Sequence, residues 1–505
     1  MSTSTIEATP AEHGQAPIVS VIVPTKNVGE WIPQTIESLK GQTLEEFEAI
    51  IVDDASIDDT VERLHEAIAG DRRFRVVPNP GSGGAQARNH AITLARGEFL
   101  AFADGDDIIP SSAYRVLVDQ ATASGAEMVV GNYLIMEPQQ ITSRDRSVPL
   151  YRGVRAGITL HDEPRFLRDR VCWNRVIRRG SWHAAGLAFA DSRRSNDIQA
   201  MTHAYCAFAF DVVPEPVYAY RRRIGRTSMT WSKHQPGPLL DHFRQELACL
   251  EAVRRLDDER LLEQYFAGIL EFDIWAHGVV AVESEGEEFG EVRDLLVELV
   301  TAAPRRSRDR LPLRPRLAYG LVAKRQWELA RIILGEPGVA MAQALERIDL
   351  EGFVSACVAA DSGSHEALAD LVRSSCLVPM ASGMHDAAVV SDLHGIARRM
   401  HRAGIADQAF TRRELHLLSI DGDVSAEELR ERAAEALPAE TLQAAANAVR
   451  DALHRIRRGG VREAARVAAR VRPRHLLIVA RETRPRHLAA AARKAARYAR
   501  RGLSR

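Results

Sequence analysis

Ala95-Arg96-Gly97-Glu98-Phe99-Leu100-Ala101-Phe102-Ala103-Asp104-Gly105-Asp106-Asp107 passes from an apolar run into three carboxylates within four residues. An apolar run that does not alternate suits a strand buried on both faces of a parallel sheet. Outward from it, Ile18–Val23, Glu48–Val52, Phe74–Val77 and Met128–Val130 read as further strands. Trp31–Leu39, Thr60–Ile68, Gln86–Ala95 and Ser111–Ser124 lie between them and read as helices. Strands alternating with helices predict an α/β domain with a mostly parallel sheet covered on both faces. Polar residues repeatedly follow the strands, at Pro24-Thr25-Lys26-Asn27, Asp53-Asp54 and Asp104–Asp107. Ligands of open α/β sheets bind beyond the carboxyl ends of the strands. These three loops therefore predict one site.

A chain of 505 residues holds two to four domains at about 150 residues each. After Pro236 the texture changes, with Leu239, Leu240, Phe243, Leu247, Leu250, Val253 and Leu256 at helical spacing. The expected organisation is a flexible tail over 1–16, the α/β domain over 17–233, a helical domain over 234–440 and a basic Arg/Ala-rich helical tail over 441–505. From Asp451 to Arg505 there are 17 Lys and Arg against 3 Asp and Glu, a net of +14, while the remainder has 50 basic and 65 acidic residues, a net of −15. Such asymmetry suggests an anionic partner for the tail, here an anionic membrane surface. Tyr498 is the tail's one aromatic residue, so the stacking platform of single-strand binders is missing and nucleic acid is not expected as a partner. The five cysteines, at 172, 206, 249, 357 and 376, show no CxxC spacing and suit a reducing compartment. The N-terminal residues lack the apolar stretch of a signal peptide, and no run of about 18 apolar residues predicts a membrane-spanning helix. The expectation is a cytoplasmic protein, peripheral on the inner face of the cell membrane through its tail.

Asp104, Asp106 and Asp107 repel one another, and a divalent cation would relieve that cost. Hard oxygen ligands suit Mg²⁺ or Mn²⁺, which also hold substrate phosphates. The bland alternative is a solvated acidic turn. Asp53 and Asp54 at a strand end can accept hydrogen bonds from a base or ribose, whereas Asp58 and Asp59 are accounted for by capping the next helix. Gly81-Ser82-Gly83-Gly84 leads into a helix carrying Arg88; it is no Walker loop, because no Gly-Lys-Ser/Thr follows. Arg221, Arg222, Arg223 and Arg226, with Ser228 and Thr230, form a basic stretch that could fold over a diphosphate.

Taken in order, Val19–Asn27 (VSVIVPTKN), Ile51–Ser56 (IVDDAS), Ala87-Arg88-Asn89 and Ala95–Asp107 resemble the family 2 glycosyltransferases. The resemblance runs from about residue 18 to 136 and more weakly to about 233. It implies an inverting, metal-dependent, hexosyltransferase-type enzyme with the GT-A (Rossmann-like) fold, followed here by a mainly α-helical C-terminal region. It implies that Pro24, Thr25 and Asn27 line the nucleotide pocket, that Asp54 contacts the base with Asp53 beside it, and that Arg88 lies near the diphosphate. Asp104 and Asp106 match the family's DxD motif, with Asp104 also near the donor and Asp106 the main metal ligand. The family carries a Glu-Asp pair about 90 residues later; Ser195-Asn196-Asp197 stands there, so Asp197 takes the place of the catalytic base and Asn196 departs from the pattern. Cys172–Arg178 and Val217–Arg221 resemble acceptor-side segments. The implied donor is a nucleoside-diphosphate sugar, a UDP-sugar first. The implied acceptor is a glycan, a polyol-phosphate polymer or a lipid-linked intermediate of the cell surface.

Two other readings compete. A sugar-nucleotide pyrophosphorylase needs a Gly-rich basic signature after the first strand, where Pro24–Asn27 stands instead. A non-catalytic nucleotide-sugar- or glycan-binding protein with a degenerate transferase domain has Asn196 in its favour and the intact acids Asp104 and Asp106 against it.

Overall fold

The computed structural model describes residues 16–143, 149–192, 195–223, 235–284, 286–334, 339–360, 363–382, 385–421, 424–438 and 440–441. The expected N-terminal tail, apart from residue 16, and nearly all of the basic tail lie outside them, as do Arg226, Ser228 and Thr230. The chain forms two compact units, Met1–Leu311 and Pro312–Arg505.

The first unit opens with the expected alternation: β1 (Val19–Thr25), α1 (Ile32–Lys40), β2 (Phe47–Asp53), α2 (Thr60–Ile68), β3 (Phe74–Pro78), α3 (Gly84–Leu94), β4 (Phe99–Phe102), α4 (Ala113–Ser124) and β5 (Met128–Glu137). There follow β6 (Gln140–Ser143), β7 (Arg155–Ile158), β8 (Arg175–Arg178), α5 (Arg179–Ala184), α6 (Asp197–Ala207) and β9 (Phe210–Arg221). The sheet runs β3-β2-β1-β4-β8-β5-β9-β7, with β6 on β5. Pairings β1 with β2, β1 with β4, β2 with β3, and β5 with β9 are parallel, whereas β8 runs antiparallel between β4 and β5. Val21, Ile22 and Val23 of β1, Ala49–Val52 of β2 and Phe99–Phe102 of β4 are buried without alternation, because helices cover both faces. Gly97, just before β4, answers a close approach of chains: a Cβ there would lie 2.5 Å from the backbone nitrogen of Ser20.

Strands β6 to β9 were not expected. They are short, charged or proline-bearing: Arg155 opens β7, Arg175 and Arg178 bracket β8, and Pro214 and Pro216 interrupt β9 opposite register shifts at Gly131–Tyr133. Their stability comes from tertiary pairing, which propensity does not report.

The first unit extends past the composition change near residue 233. α7 (Pro236–Arg254) packs on α6, and α8 (Glu259–Gly268), a π-turn at Ile269–Asp273, α9 (Ile274–Glu283), α10 (Gly290–Ala302) and α11 (Arg305–Asp309) complete the unit. Arg170, from the α/β part, donates to Glu246 of α7 through both Nη atoms, at 2.8 and 2.9 Å, and to Asp273 at 2.6 Å. Tyr265 of α8 donates to the same Glu246 carboxylate at 2.6 Å. The composition change thus separates strands from helices but not one compact unit from the next. The run Glu259–Glu283 is, among the described residues, long and apolar enough to cross a membrane by length and composition, with a mean hydropathy of 1.3. In this fold it is largely a core element, with 61 % of its most apolar window buried.

The second unit is helical where it is described, from α12 (Leu313–Ala323) to Ala426–Ala436. Its core includes Leu321, Ile333, Leu368, Leu393 and Leu417. Arg373 donates to Glu414 at 2.6 Å, and Glu414 also closes a capping box with Thr411.

Glu246 is fully buried against Arg170. Glu246→Ala leaves that guanidinium without its main partner, and urea unfolding of the first unit is expected to show a loss of about 3–5 kcal/mol. A loss below about 1 kcal/mol would mean that α7 is not integral to this unit.

Candidate active site

The site begins where β4 ends. Gly105 lets the acidic loop fold down onto β1 and α1, since a Cβ there would lie 2.8 Å from Thr25 Cγ2. Thr35 of α1 holds the loop from below, its hydroxyl donating to the carbonyl oxygens of Asp107, at 2.8 Å, and Gly105, at 3.1 Å. The three acids then take different roles. Asp107 is buried and accepts from the Tyr218 hydroxyl at 2.8 Å and from the backbone N–H of Arg221 at 2.7 Å, which clamps β9 to the loop. Tyr218 also accepts from the backbone N–H of Asp104 at 2.9 Å. Asp104 Oδ1 accepts from Arg88 Nη2 at 2.5 Å. Asp106 Oδ2 accepts from Arg223 Nε at 2.5 Å. Burial raises the Asp106 carboxyl above its usual range; Arg223 opposes that rise and the charge of Asp104 adds to it. Burial, with Asp106 and Asp104 beside it, pushes Asp107 higher still.

Arg88 joins this loop to α6. Its guanidinium is buried, donating from Nη2 to Asp104 and from Nη1 to Asn196 Oδ1 at 3.0 Å, with Phe189 5.4 Å beneath it. Arg88 Nε has no hydrogen-bond partner among the described residues. Asn196 precedes α6 without capping it through its side chain, so its amide is given to Arg88 rather than to the helix. Asp197 is the first residue of that helix and half-buried. Its carboxyl is raised by burial, lowered by Arg88 and raised again by Asp104. It therefore shares one electrostatic field with Arg88 and the acidic loop.

The other expected residues gather at the ends of β1 and β2. Asp54 is buried and accepts from Lys26 Nζ at 2.8 Å, Asn79 Nδ2 at 2.7 Å and the backbone N–H of Gly83 at 2.9 Å. Burial alone would raise its carboxyl, but these donors outweigh burial and hold it below the usual 3.8. Asp53 turns into its own loop, accepting from the Ser56 hydroxyl at 2.6 Å and the Ser56 N–H at 3.0 Å. Asn27, in the left-handed region at φ 51°, accepts from the N–H of Ile57 at 2.9 Å and ties the β1 loop to the β2 loop. Pro24 and Thr25 form the end of β1 in register with Val52 and Asp53.

Sequence reasoning did not single out Lys26, Asn79, Thr35, Trp173 or Tyr218, although all but Asn79 lie within stretches that it quoted. Trp173 stacks on Tyr218 at 4.2 Å and on Tyr220 at 5.8 Å, forming an aromatic wall behind the acidic loop. Asn79 carries no signal beyond its place after β3. Among the described residues no group of three or more His, Cys, Asp or Glu forms a ready metal site. Asp104 and Asp106 are two hard carboxylates, which fits a Mg²⁺ or Mn²⁺ ion whose remaining ligands are phosphate and water oxygens.

A family model described as Glycosyl transferase family 2 matches residues 20–183. The chain is 30 % identical over 241 residues to the uncharacterized glycosyltransferase EpsJ of Bacillus subtilis, covering 46 % of this chain and 67 % of that one. It is 42 % identical over 92 residues to the putative teichuronic acid biosynthesis glycosyltransferase TuaG of the same organism, covering 18 % and 36 %. The crystal structure of S. aureus TarS 1-349 in complex with UDP-GlcNAc matches with a TM-score of 0.53 at 18 % identity, over 63 % of this chain and 90 % of that chain. The likeness to TarS shows the fold, a GT-A domain followed by helices.

Asp54→Ala removes the acceptor of three donors and should cost about 1–3 kcal/mol near neutral pH. Because the folded-state carboxyl is depressed, its contribution is present above the unfolded value of 3.8 and is lost as pH falls through the folded one. Unfolding measured against pH should show the two proteins converging on the acid side; a constant gap would mean that the charge of Asp54 plays no part.

Proposed function

Because the chain belongs to the family 2 glycosyltransferases, we propose that it moves a hexosyl unit from a nucleoside-diphosphate sugar to an acceptor hydroxyl with inversion at the anomeric carbon. The observation that carries this reading is the Arg88 bridge, which brings Asp104 of the acidic loop and the Asp197 turn of α6 to one guanidinium. Asp197 removes the proton from the acceptor hydroxyl as it attacks, a contribution of typically 10²–10⁴-fold. The positive charge of Arg88 opposes the rise that burial imposes on that carboxyl, and its bond to Asn196 keeps the turn facing the acidic loop. The Asp54 and Gly83 region receives the nucleoside. Asp104 and Asp106 would hold a divalent cation, which when bound neutralises charge on the departing diphosphate. The acceptor we favour is a cell-surface polymer or its lipid-linked precursor, in line with the teichuronic acid role in the name of TuaG. The donor we favour is a UDP-sugar, the class that TarS holds in its structure.

Titration of UDP and GDP with Mn²⁺ should show metal-dependent binding that Asp106→Asn weakens by at least about tenfold, or 1.4 kcal/mol. Asp197→Asn should leave that binding near normal while turnover falls by about 10²-fold or more. Since Asp197 must be ionised and burial raises its carboxyl above 3.8, kcat should fall as pH drops through an apparent pKa above that value. Turnover by Asp197→Asn within a few-fold of the native rate would place the base elsewhere.

We also propose that the basic tail docks the enzyme on an anionic membrane from the cytoplasmic side, supported by its net charge of +14. Each Lys or Arg near such a surface contributes about 1 kcal/mol, and the attraction falls with salt. The full chain should sediment with anionic but not neutral vesicles at low salt, and a chain ending at Leu437 should stay in the supernatant. Unchanged lipid binding after truncation, or unfolding, would instead make the tail a structural partner of the acidic remainder.

A further inference from the structure

β9 ends at Arg221, and strand alternation sends successive side chains to opposite sides. Arg222 turns away to Glu137 of β5, at 2.7 Å. Arg221 turns to the acidic loop and is anchored there: Nε donates to the Asp106 carbonyl at 2.8 Å and Nη2 to Gln34 of α1 at 2.7 Å, besides its backbone bond to Asp107. Arg223 turns to the same loop but engages it, among the described residues, through its guanidinium alone. Nε lies 2.5 Å from Asp106 Oδ2, Nη2 meets the same oxygen, and the guanidinium lies 4.1 Å over the ring of Trp31. The pair is shielded but not sealed, with 14 % and 17 % of the two side chains exposed.

This pairing bears on the metal. Asp106 is the acid that the reading above makes the main metal ligand, and its oxygen is already taken by a monovalent cation. A divalent ion at that oxygen would face the guanidinium at close range, so one must leave. Arginine's planar fork matches phosphate as well as carboxylate, and a diphosphate offers the displaced group a new anion. The Trp31 face allows the guanidinium to move while it stays over an electron-rich surface.

We propose that Arg223 is a built-in counter-cation of the acidic loop: it neutralises Asp106 in the donor-free enzyme, gives way when metal and nucleoside diphosphate arrive together, and then grips the diphosphate. The proposal rests on the metal-dependent reading of the site. Its consequence is coupling. Free metal binds poorly because it must evict Arg223 with no anion to receive it. Nucleotide supplies that anion, so each ligand tightens the other by the same factor. Arg223, two residues beyond β9, thereby reports donor occupancy to the acidic loop.

Mn²⁺ binding to the full chain, read by electron paramagnetic resonance of the free ion with and without UDP or GDP, tests this without any turnover. Arg223→Gln should bind Mn²⁺ alone about fivefold tighter than the native chain, bind nucleotide at saturating Mn²⁺ about fivefold more weakly, and lose most of the metal–nucleotide coupling. Arg223→Lys keeps the charge without the fork; it should retain weak binding of Mn²⁺ alone and lose part of the nucleotide affinity. Equal or weaker Mn²⁺ binding by Arg223→Gln in the absence of nucleotide, with the native chain still binding Mn²⁺ and nucleotide together, overturns the exchange and leaves the metal-dependent reading standing. No Mn²⁺ binding by the native chain even with nucleotide overturns both.

Discussion

Three carboxylates within four residues repel one another, and much of the site follows from how that repulsion is offset. Asp107 is withdrawn from the surface and spent on the fold, held by Tyr218 and the backbone of Arg221. Asp104 and Asp106 each receive one guanidinium, Arg88 from α3 and Arg223 from beyond β9. A cluster that would be costly alone becomes a junction at which α1, α3, β4 and β9 meet. The energetic logic is that of a buried charge: it is tolerated where a partner and hydrogen bonds are supplied together. The same logic recurs at Arg170, where Glu246 and Asp273 secure the helical layer to the α/β layer.

The part of the fold legible in the sequence is the part that physics writes locally. β1, β2 and β4 are buried on both faces, so their apolar runs are continuous and their ends are marked by polar residues. The helices between them begin and end close to where periodicity placed them. β8 was not legible, because Arg175-Val176-Ile177-Arg178 looks like an exposed turn until Arg175 is seen fully buried, donating to Asp169. β9 was hidden by its two prolines, tolerated opposite a register shift in β5. The extent of the first unit was not legible either. Composition marks where strands stop, whereas a compact unit is marked by packing between residues far apart in sequence, such as Arg170 and Glu246.

At the site, residue types were legible and their assignments only partly so. Strand-end acids announced themselves by position. What spacing does not report is which acid faces the ligand side and which faces inward. Asp107 is buried and held by Tyr218 and the backbone of β9, and Asp54 is buried under three donors, whereas their neighbours Asp106 and Asp53 are only half-buried. Asp54 is held by Asn79, 25 residues away and in no motif. Sequence pattern finds the loops that converge, and only tertiary geometry divides the work among their side chains.

The departure at Asn196 fits the same balance of charge. Asp104 and Asp197 already act on the one buried guanidinium of Arg88, whose field reaches both. A third carboxylate at position 196 would compete for that guanidinium at the point where it steadies Asp104. An amide oxygen there accepts from Arg88 at 3.0 Å without adding negative charge. Asn196 therefore satisfies a buried donor, leaves the positive charge of Arg88 to the two acids that need it, and requires no loss of function to explain it. The residue that most resembled a sign of degeneration is, in its geometry, a member of the charge network that joins Arg88, Asp104 and Asp197.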